Sequence, residues 1–327
     1  MNDRKQATAY RGTLSSKEEI NIGVPQGSIL GPLLFSIFVN DLPTHLTCKS
    51  VLYADDTALM FSSNDSNELA VNLNSNLKKV NDWLQMNELS LNISKTKYMV
   101  CGTSQRIHKF DDVSLSVGEN EIERVDTFKY LGVWFDPIFK WDHHIQNSSK
   151  IISQRIGLVS RLRKFIPFKI AKLLANSLVM PYFDYCDLVW NNCSKDLCEK
   201  LQILQNRLAR VVLKEGRRAH ITDMLNAMKW KNLETRSNIN LIHLVRKCLL
   251  NEAPNYLTEK FAYVYSRHNY PTNSSNNLNL LQDNVRTQAG KRTFHYRGAD
   301  AWNDIPHDVK VLPYNSKRFK KALYKMI

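Results

Sequence analysis

The chain has 327 residues, 43% of them hydrophobic, six scattered cysteines and a formal net charge of +14, a composition for one large core or two modest ones. Its longest apolar run, Ile29 to Val39, is broken by Gly31-Pro32 and Ser36, which argues against a membrane span, and the charged start Met1-Asn2-Asp3-Arg4-Lys5 leads into no apolar core, which argues against a secretory signal. The cysteines read as reduced thiols of an intracellular protein, nuclear or cytoplasmic and not secreted, and the positive charge favours polyanions, chiefly nucleic acid.

In chain order, Ala7 to Gly12 and Glu18 to Ile22 read as two short strands around Thr13-Leu14-Ser15-Ser16. A Gly23–Gly27 loop follows, then a helix with Ser28 as N-cap and Pro32 in its first turn. That helix is apolar on nearly all sides and is expected to be buried as far as Asn40. Val51 to Phe61 reads as two buried strands joined by an acidic turn, a β-hairpin with Asp55 and Asp56 at its tip. Asp65-x-x-Glu68 has the form of a capping box, and the helix after it places Leu69, Leu73, Leu77, Val80 and Leu84 on one stripe. Thr96 to Cys101 reads as a strand, Val113 to Arg124 as a hairpin turning at Gly118-Glu119-Asn120, and Phe128 to Phe135 as a further apolar strand. Helical periodicity takes over at Trp141–Arg163, Pro167–Met180 and Leu197–Leu213, with Gly216 closing the last. Asn269 to Asn279 reads as an exposed loop.

Adjacent carboxylates at a turn suit a hard divalent cation, above all Mg²⁺. An Asp-Asp between apolar runs is more often only a polar hairpin tip. The stretch before it changes the balance: Gly23-Val24-Pro25-Gln26-Gly27-Ser28-Ile29-Leu30-Gly31-Pro32 and Tyr53-Ala54-Asp55-Asp56 together resemble motifs B and C of reverse transcriptases, in the wording of non-LTR (LINE-type, jockey- and CR1-like) retrotransposons. The resemblance implies an RNA-directed DNA polymerase working by two-metal nucleotidyl transfer, with RNA template, DNA primer and deoxynucleotides as partners. Asp55 would be a direct metal ligand for Mg²⁺ or Mn²⁺, and Asp56 a weaker ligand or orienter. Tyr53 and Ala54 would lie beside the primer terminus, and Gln26 and Gly27 would contact nucleotide and template.

Asn92-x-x-Lys95-Thr96 resembles motif D, which would bring Lys95 to the triphosphate as a proton donor. Phe128-Lys129-Tyr130-Leu131-Gly132 resembles the primer grip, with Tyr130 and Leu131 packing and Gly132 admitting the primer; core packing explains this strand equally well. Residues 150–218 hold 14 Lys/Arg against 5 Asp/Glu, a net +9. They fit a thumb that tracks a nucleic-acid backbone through Lys150, Arg155, Arg161, Arg163 and Lys164. Trp141-x-x-His144-Ile145, Leu201-Gln202-x-Leu204-Gln205-Asn206-Arg207 and Trp302-Asn303-Asp304-Ile305-Pro306 also resemble the region downstream of the palm in such elements. Cys186, Cys193 and Cys198 lack zinc-knuckle spacing and read as buried thiols in helices; His143-His144 reads as structural.

The expected fold is α+β, a partial polymerase palm of antiparallel sheet and helices over 1–138. A helical basic thumb over 139–216 and a C-terminal region over 217–327 would follow. The family's motif A aspartate and its fingers would precede Gly23. Neither is found there, so the expectation is a fragment that is inactive alone and binds metal only when an upstream half supplies the third acid. Such a fragment would leave an apolar face uncovered. Two rivals stay open: a retained nucleic-acid-binding or interaction protein without catalysis, and a group II intron maturase-like enzyme.

Overall fold

The computed structural model describes residues 4–20, 23, 27–266, 278–313 and 317–326. The chain divides into two compact units, Met1–Asp126 and Thr127–Ile327. It is α+β. Its described strands are short and pair two by two rather than forming one sheet: five pairs are antiparallel, and β10 (Glu123–Arg124) runs parallel to β7 (Lys97–Tyr98).

In the first unit, β1 (Arg4–Gln6) pairs with β4 (Glu18–Ile20), and β2 (Ala9–Tyr10) pairs with β3 (Thr13–Leu14). The turn between β2 and β3 falls at Arg11-Gly12, inside the expected first strand, because both residues take positive φ (48° and 84°) as a two-residue hairpin turn requires. Helix α1 spans Gly31–Phe38 and stops short of Asn40. Ser28 Oγ accepts the Gly31 N–H at 2.9 Å, so the serine caps the helix from two residues before its N-cap, Leu30. The expectation of a buried helix fails: Leu33, Leu34, Ile37 and Phe38 are all exposed and only Gly31 is buried. A helix apolar all round is buried only where neighbours cover every side of it.

Helix α2 (Ser66–Met86) organises the unit. Asp65 Oδ1 caps it through Asn67 N–H at 2.9 Å, while Glu68 binds the Ser63 hydroxyl instead of closing a capping box. One side of α2 carries Leu77 into a core with Val113, Leu115, Val117 and Ile122; the next side carries Val80 and Trp83 against Leu42. The 113–124 segment turns as expected, with β8 (Ser116–Val117) and β9 (Asn120–Glu121) flanking Gly118-Glu119. The Thr96–Cys101 strand shrinks to β7, where Lys97 pairs with Glu123 at 2.5 Å.

The second unit begins with a correction. Phe128 to Phe135 is not one strand but a hairpin, β11 (Phe128–Tyr130) and β12 (Val133–Phe135), folded at Leu131-Gly132 with φ of 45° and 83°. It packs with the helices that follow, and the second compact unit begins just before it, at Thr127. Asp136 then accepts three backbone N–H groups, from Ile138, Lys140 and Trp141, at 2.8–3.2 Å. This turns the chain into α3 (Asp142–Leu162), which is followed by α4 (Phe168–Leu178), α5 (Lys195–Leu213), α6 (Ile221–Met228) and α7 (Leu233–Leu249). Lys214, at φ 62°, takes the left-handed position that ends α5, not Gly216.

Ile145, Ile152, Ile156 and Val159 of α3 pack with Leu208, Ala209 and Val212 of α5 in one core. A second core joins α7 to α8 (Phe294–Asn303) and α9 (Lys317–Met326) through Val245, Trp302 and Leu323. Buried tryptophans find acceptors for their indole N–H: Trp141 on Asn192, Trp190 on the Tyr185 carbonyl, Trp230 on Asn176 and Trp302 on the Leu278 carbonyl, all at 2.6–3.0 Å. The strings around His144, Gln205 and Trp302 are therefore core. His144 lies against Trp190, and Gln205 ties α5 to the Lys231 carbonyl. Most of the expected 269–279 loop lies outside the described residues. No helix among the described residues is long and apolar enough to cross a membrane.

Candidate active site

Strands β5 (Lys49–Tyr53) and β6 (Asp56–Met60) pair in register from Lys49↔Met60 to Tyr53↔Asp56. Only Ala54 and Asp55 remain for the turn. Ala54 takes φ 52°, the positive value that a two-residue hairpin demands at its first central position. Asp55 stands in the turn and Asp56 opens the return strand, so both carboxylates sit at the tip as expected. Both are exposed, and neither is held by an ion pair or side-chain hydrogen bond among the described residues.

The strands themselves are not buried. Burial alternates: Val51, Tyr53 and Met60 face outward, while Leu52 and Leu59 meet Val80, Trp83 and Leu42. This is the period-two pattern of a two-stranded sheet with one covered face. The hairpin is moored at its base by Asn76, fully buried on α2. Asn76 Oδ1 accepts Thr47 N–H at 2.8 Å and Cys48 N–H at 3.4 Å; its Nδ2 donates to the Asn72 carbonyl at 2.8 Å and to Thr47 Oγ1 at 3.0 Å. Sequence reading missed this residue, although its signal was present: an asparagine on the apolar stripe, between Leu73 and Leu77.

The other expected site residues divide. Gln26 lies outside the described residues. Gly27 takes φ 84°, and no described residue lies within reach of its would-be Cβ, so the glycine serves the backbone conformation. Lys95 is exposed in a turn that Asn92 builds: the Asn92 carbonyl accepts Thr96 N–H at 3.0 Å and its Oδ1 accepts Lys95 N–H at 3.1 Å. Leu91 and Tyr98, on either side of that turn, share a core with Leu59 of β6, which ties turn and hairpin to one body.

Tyr130, Leu131 and Gly132 lie at the bend of the second unit's hairpin. Tyr185, also missed in the sequence, donates its hydroxyl to the Leu131 carbonyl at 2.6 Å, and a Cβ on Gly132 would come within 3.1 Å of its ring. The glycine is thus fitted to an aromatic ring of this chain.

The five expected backbone-contacting cations do not form one face. Lys150 and Arg161 lie three turns apart on the same side of α3 and are exposed, as is Lys164 beyond it. Arg155 points elsewhere, its guanidinium over Tyr182. Arg163 is committed to the protein, capping carbonyls of Val212 at 2.7 Å and Ile166 at 2.8 Å.

The three cysteines weighed for zinc are half-buried rather than buried. Cys186 stands at a left-handed position between short helices, and Cys193 precedes α5. Cys193 and Cys198 sulfurs meet at 3.4 Å. Their contact lowers the Cys198 thiol to about 7, aided by Arg297 against the cost of burial.

Two adjacent carboxylates on a two-residue turn, unpaired among the described residues, offer hard oxygen donors of the kind Mg²⁺ takes, one or two at a time alongside phosphate and water. No group of three or more metal-ligating side chains occurs among the described residues. The donor set thus fits part of a divalent-metal site.

Residues 5–135 match the family described as Reverse transcriptase (RNA-dependent DNA polymerase). The chain is similar to the probable RNA-directed DNA polymerase from transposon BS of Drosophila melanogaster, 29% identical over 65% of this chain and 24% of that protein. It is 27% identical to the RNA-directed DNA polymerase from mobile element jockey of the same species, over 64% of this chain and 24% of that protein. A Pol polyprotein from type-1 retrotransposable element R1 2 of Nasonia vitripennis is 25% identical over 51% of this chain and 43% of that protein. The chain therefore spans about a quarter of the length of the first two relatives.

Proposed function

We propose that this chain, whose residues 5–135 belong to the reverse transcriptases of non-LTR retrotransposons, supplies the Asp55–Asp56 hairpin to a polymerase centre that copies RNA into DNA. The observation that carries the reading is the pair of carboxylates, unpaired among the described residues, presented on a two-residue turn moored through Asn76 to α2. In the reaction a primer 3′-hydroxyl attacks the α-phosphorus of a deoxynucleotide, the bond to pyrophosphate breaks, and the hydroxyl proton passes to water. Divalent ions held there would stabilise the attacking and leaving oxygens. Asp55 and Asp56 would hold that positive charge in place; exposed Tyr53 and small Ala54 would leave room for the primer sugar. Lys95, on its Asn92-built turn, is the donor available for the leaving pyrophosphate. RNA template and DNA primer are the partners this reading requires.

The test is a chimera. Residues 5–135 replace the matching segment of a jockey-type polymerase, and primer extension is measured on an RNA template with Mg²⁺. Extension that is lost in Asp55→Ala and Asp56→Ala supports the proposal. Extension that survives the double substitution ends it.

A further inference from the structure

Cys193 and Cys198 are set apart from the other cysteines by their contact. Their sulfurs meet at 3.4 Å, and both side chains are half-buried, so neither is sealed from small reagents. Ser194 opens α5 between them. Cys193 precedes this N-cap, and Cys198 closes the first turn, its N–H bonded to the Ser194 carbonyl at 3.1 Å. Helical side chains lean toward the helix N-terminus, which turns the Cys198 sulfur back onto Cys193 and toward the positive end of α5.

The segment that carries Cys193 is pinned from two directions. Asn192 accepts the Trp141 indole N–H at 2.6 Å and donates to the Arg292 carbonyl at 3.2 Å. The Cys193 N–H bonds the Trp190 carbonyl at 3.1 Å. The fold therefore holds the two thiols together, and the sulfurs have about 1.4 Å to close to reach disulfide length.

Contact alone is ordinary packing, but the two thiols also differ in character. The Cys193 thiol donates to the Cys198 sulfur and stabilises its thiolate; Arg297 of α8, held on the Leu188 carbonyl, adds to this. Burial and Glu234 oppose them without outweighing them, so the Cys198 thiol is lowered, while the same hydrogen bond raises that of Cys193. Burial pushes the thiols of Cys48, Cys186 and Cys248 up instead. A thiolate within reach of reagents and beside a second thiol that can capture it is the arrangement of an oxidisable pair.

We propose that Cys193 and Cys198 form a modification site for hydroperoxides, at which Cys198 is oxidised and Cys193 captures it as a disulfide. The Cys198 thiolate attacks one peroxide oxygen: an S–O bond forms, the O–O bond breaks, and the leaving hydroxide takes the Cys193 proton and departs as water. The Cys193 thiolate then attacks the Cys198 sulfur. An S–S bond forms, the S–O bond breaks, and the released hydroxide takes a proton from solvent. The two sulfurs give up two electrons and the peroxide gains them. The site lies on a different unit from the Asp55–Asp56 hairpin and does not rest on the polymerase reading.

The test treats the full chain with an equimolar amount of hydrogen peroxide at neutral pH, blocks the remaining thiols and maps tryptic peptides by mass spectrometry. Lys195 lies between the two cysteines, so cleavage there leaves them on separate peptides that stay joined only through a disulfide. The joined pair is expected as the main oxidation product, released by a reductant, while the chain unfolded in urea spreads the same dose over its six cysteines. In Cys193→Ser the joined pair is lost and Cys198 remains as a sulfenic acid that dimedone traps. In Cys198→Ser the joined pair is lost and Cys193 takes up no dimedone. Circular dichroism checks that both variants are folded. A native chain whose oxidation is spread as it is in urea overturns the proposal. So does a Cys193→Ser variant without dimedone on Cys198, or equal labelling of the remaining cysteine in the two variants.

Discussion

Replacing Asn76 with alanine tests whether the acidic hairpin is held from its base. The side chain is fully buried and makes its bonds to three neighbours: the Thr47 and Cys48 segment leading into β5, and Asn72 one turn earlier on α2. Truncation removes the acceptor of the part-buried Thr47 and Cys48 N–H bonds, and each such bond lost costs roughly 0.5–1.5 kcal/mol net. Alanine returns up to about 0.7 kcal/mol in helix propensity, so the net destabilisation expected is about 1–2 kcal/mol, concentrated at the foot of the hairpin. The chain has two compact units, so a single global unfolding curve is a poor measure. Native-state hydrogen exchange reads the site directly: Thr47 and Cys48 amides should exchange roughly 5- to 30-fold faster. Ser75→Ala, an exposed neighbour on the same helix, should leave them unchanged. Equal protection in Asn76→Ala and Ser75→Ala would refute the mooring.

Two further outcomes follow from the second unit. Burial pushes His144 down to about 4, with His143 adding to the effect, and its Nδ1 accepts the Trp134 N–H at 3.4 Å as a neutral ring does. Between pH 4 and the unperturbed value near 6.5 the unfolded chain therefore binds the extra proton. The contribution of this site is full above about 6.5 and is lost on acidification toward 4, on the order of 3 kcal/mol. His144→Gln should flatten the fall of Tm with pH across that window, and an unchanged fall would remove His144 as its cause. Gly132→Ala puts a Cβ 3.1 Å from the Tyr185 ring at a φ of 83°, a left-handed position costing a side chain roughly 1–2 kcal/mol; a urea midpoint equal to that of the parent would show that neither the strain nor the crowding is real.

What could be read in one dimension was local. The turn at Asp55, the helices from Ser66, Asp142 and Lys195, and the Gly118 turn all follow from short-range periodicity and turn chemistry, and each stands within a few residues of where the sequence puts it. The Leu131-Gly132 turn escaped because apolar residues run straight through it; only a backbone at positive φ, locked by a tyrosine more than fifty positions away, distinguishes that hairpin from a strand. Burial of α1 was misread for a related reason: apolar composition states what a helix could cover, not which neighbour is present to cover it. Arg155 and Arg163 read as free cations until their partners, Tyr182 and the Val212 carbonyl, came from distant elements.

The α+β class, the acidic tip and the resemblance of its motifs to those of reverse transcriptases were determined by the sequence alone, because neighbours along the chain set turns, periodicity and motif wording. Which cations are committed to the protein, which face of each strand is wet, and that Asn76 and Tyr185 anchor the two hairpins were decided only by the tertiary structure. Hydrogen bonds and burial depend on groups that sequence separates and folding alone brings within reach.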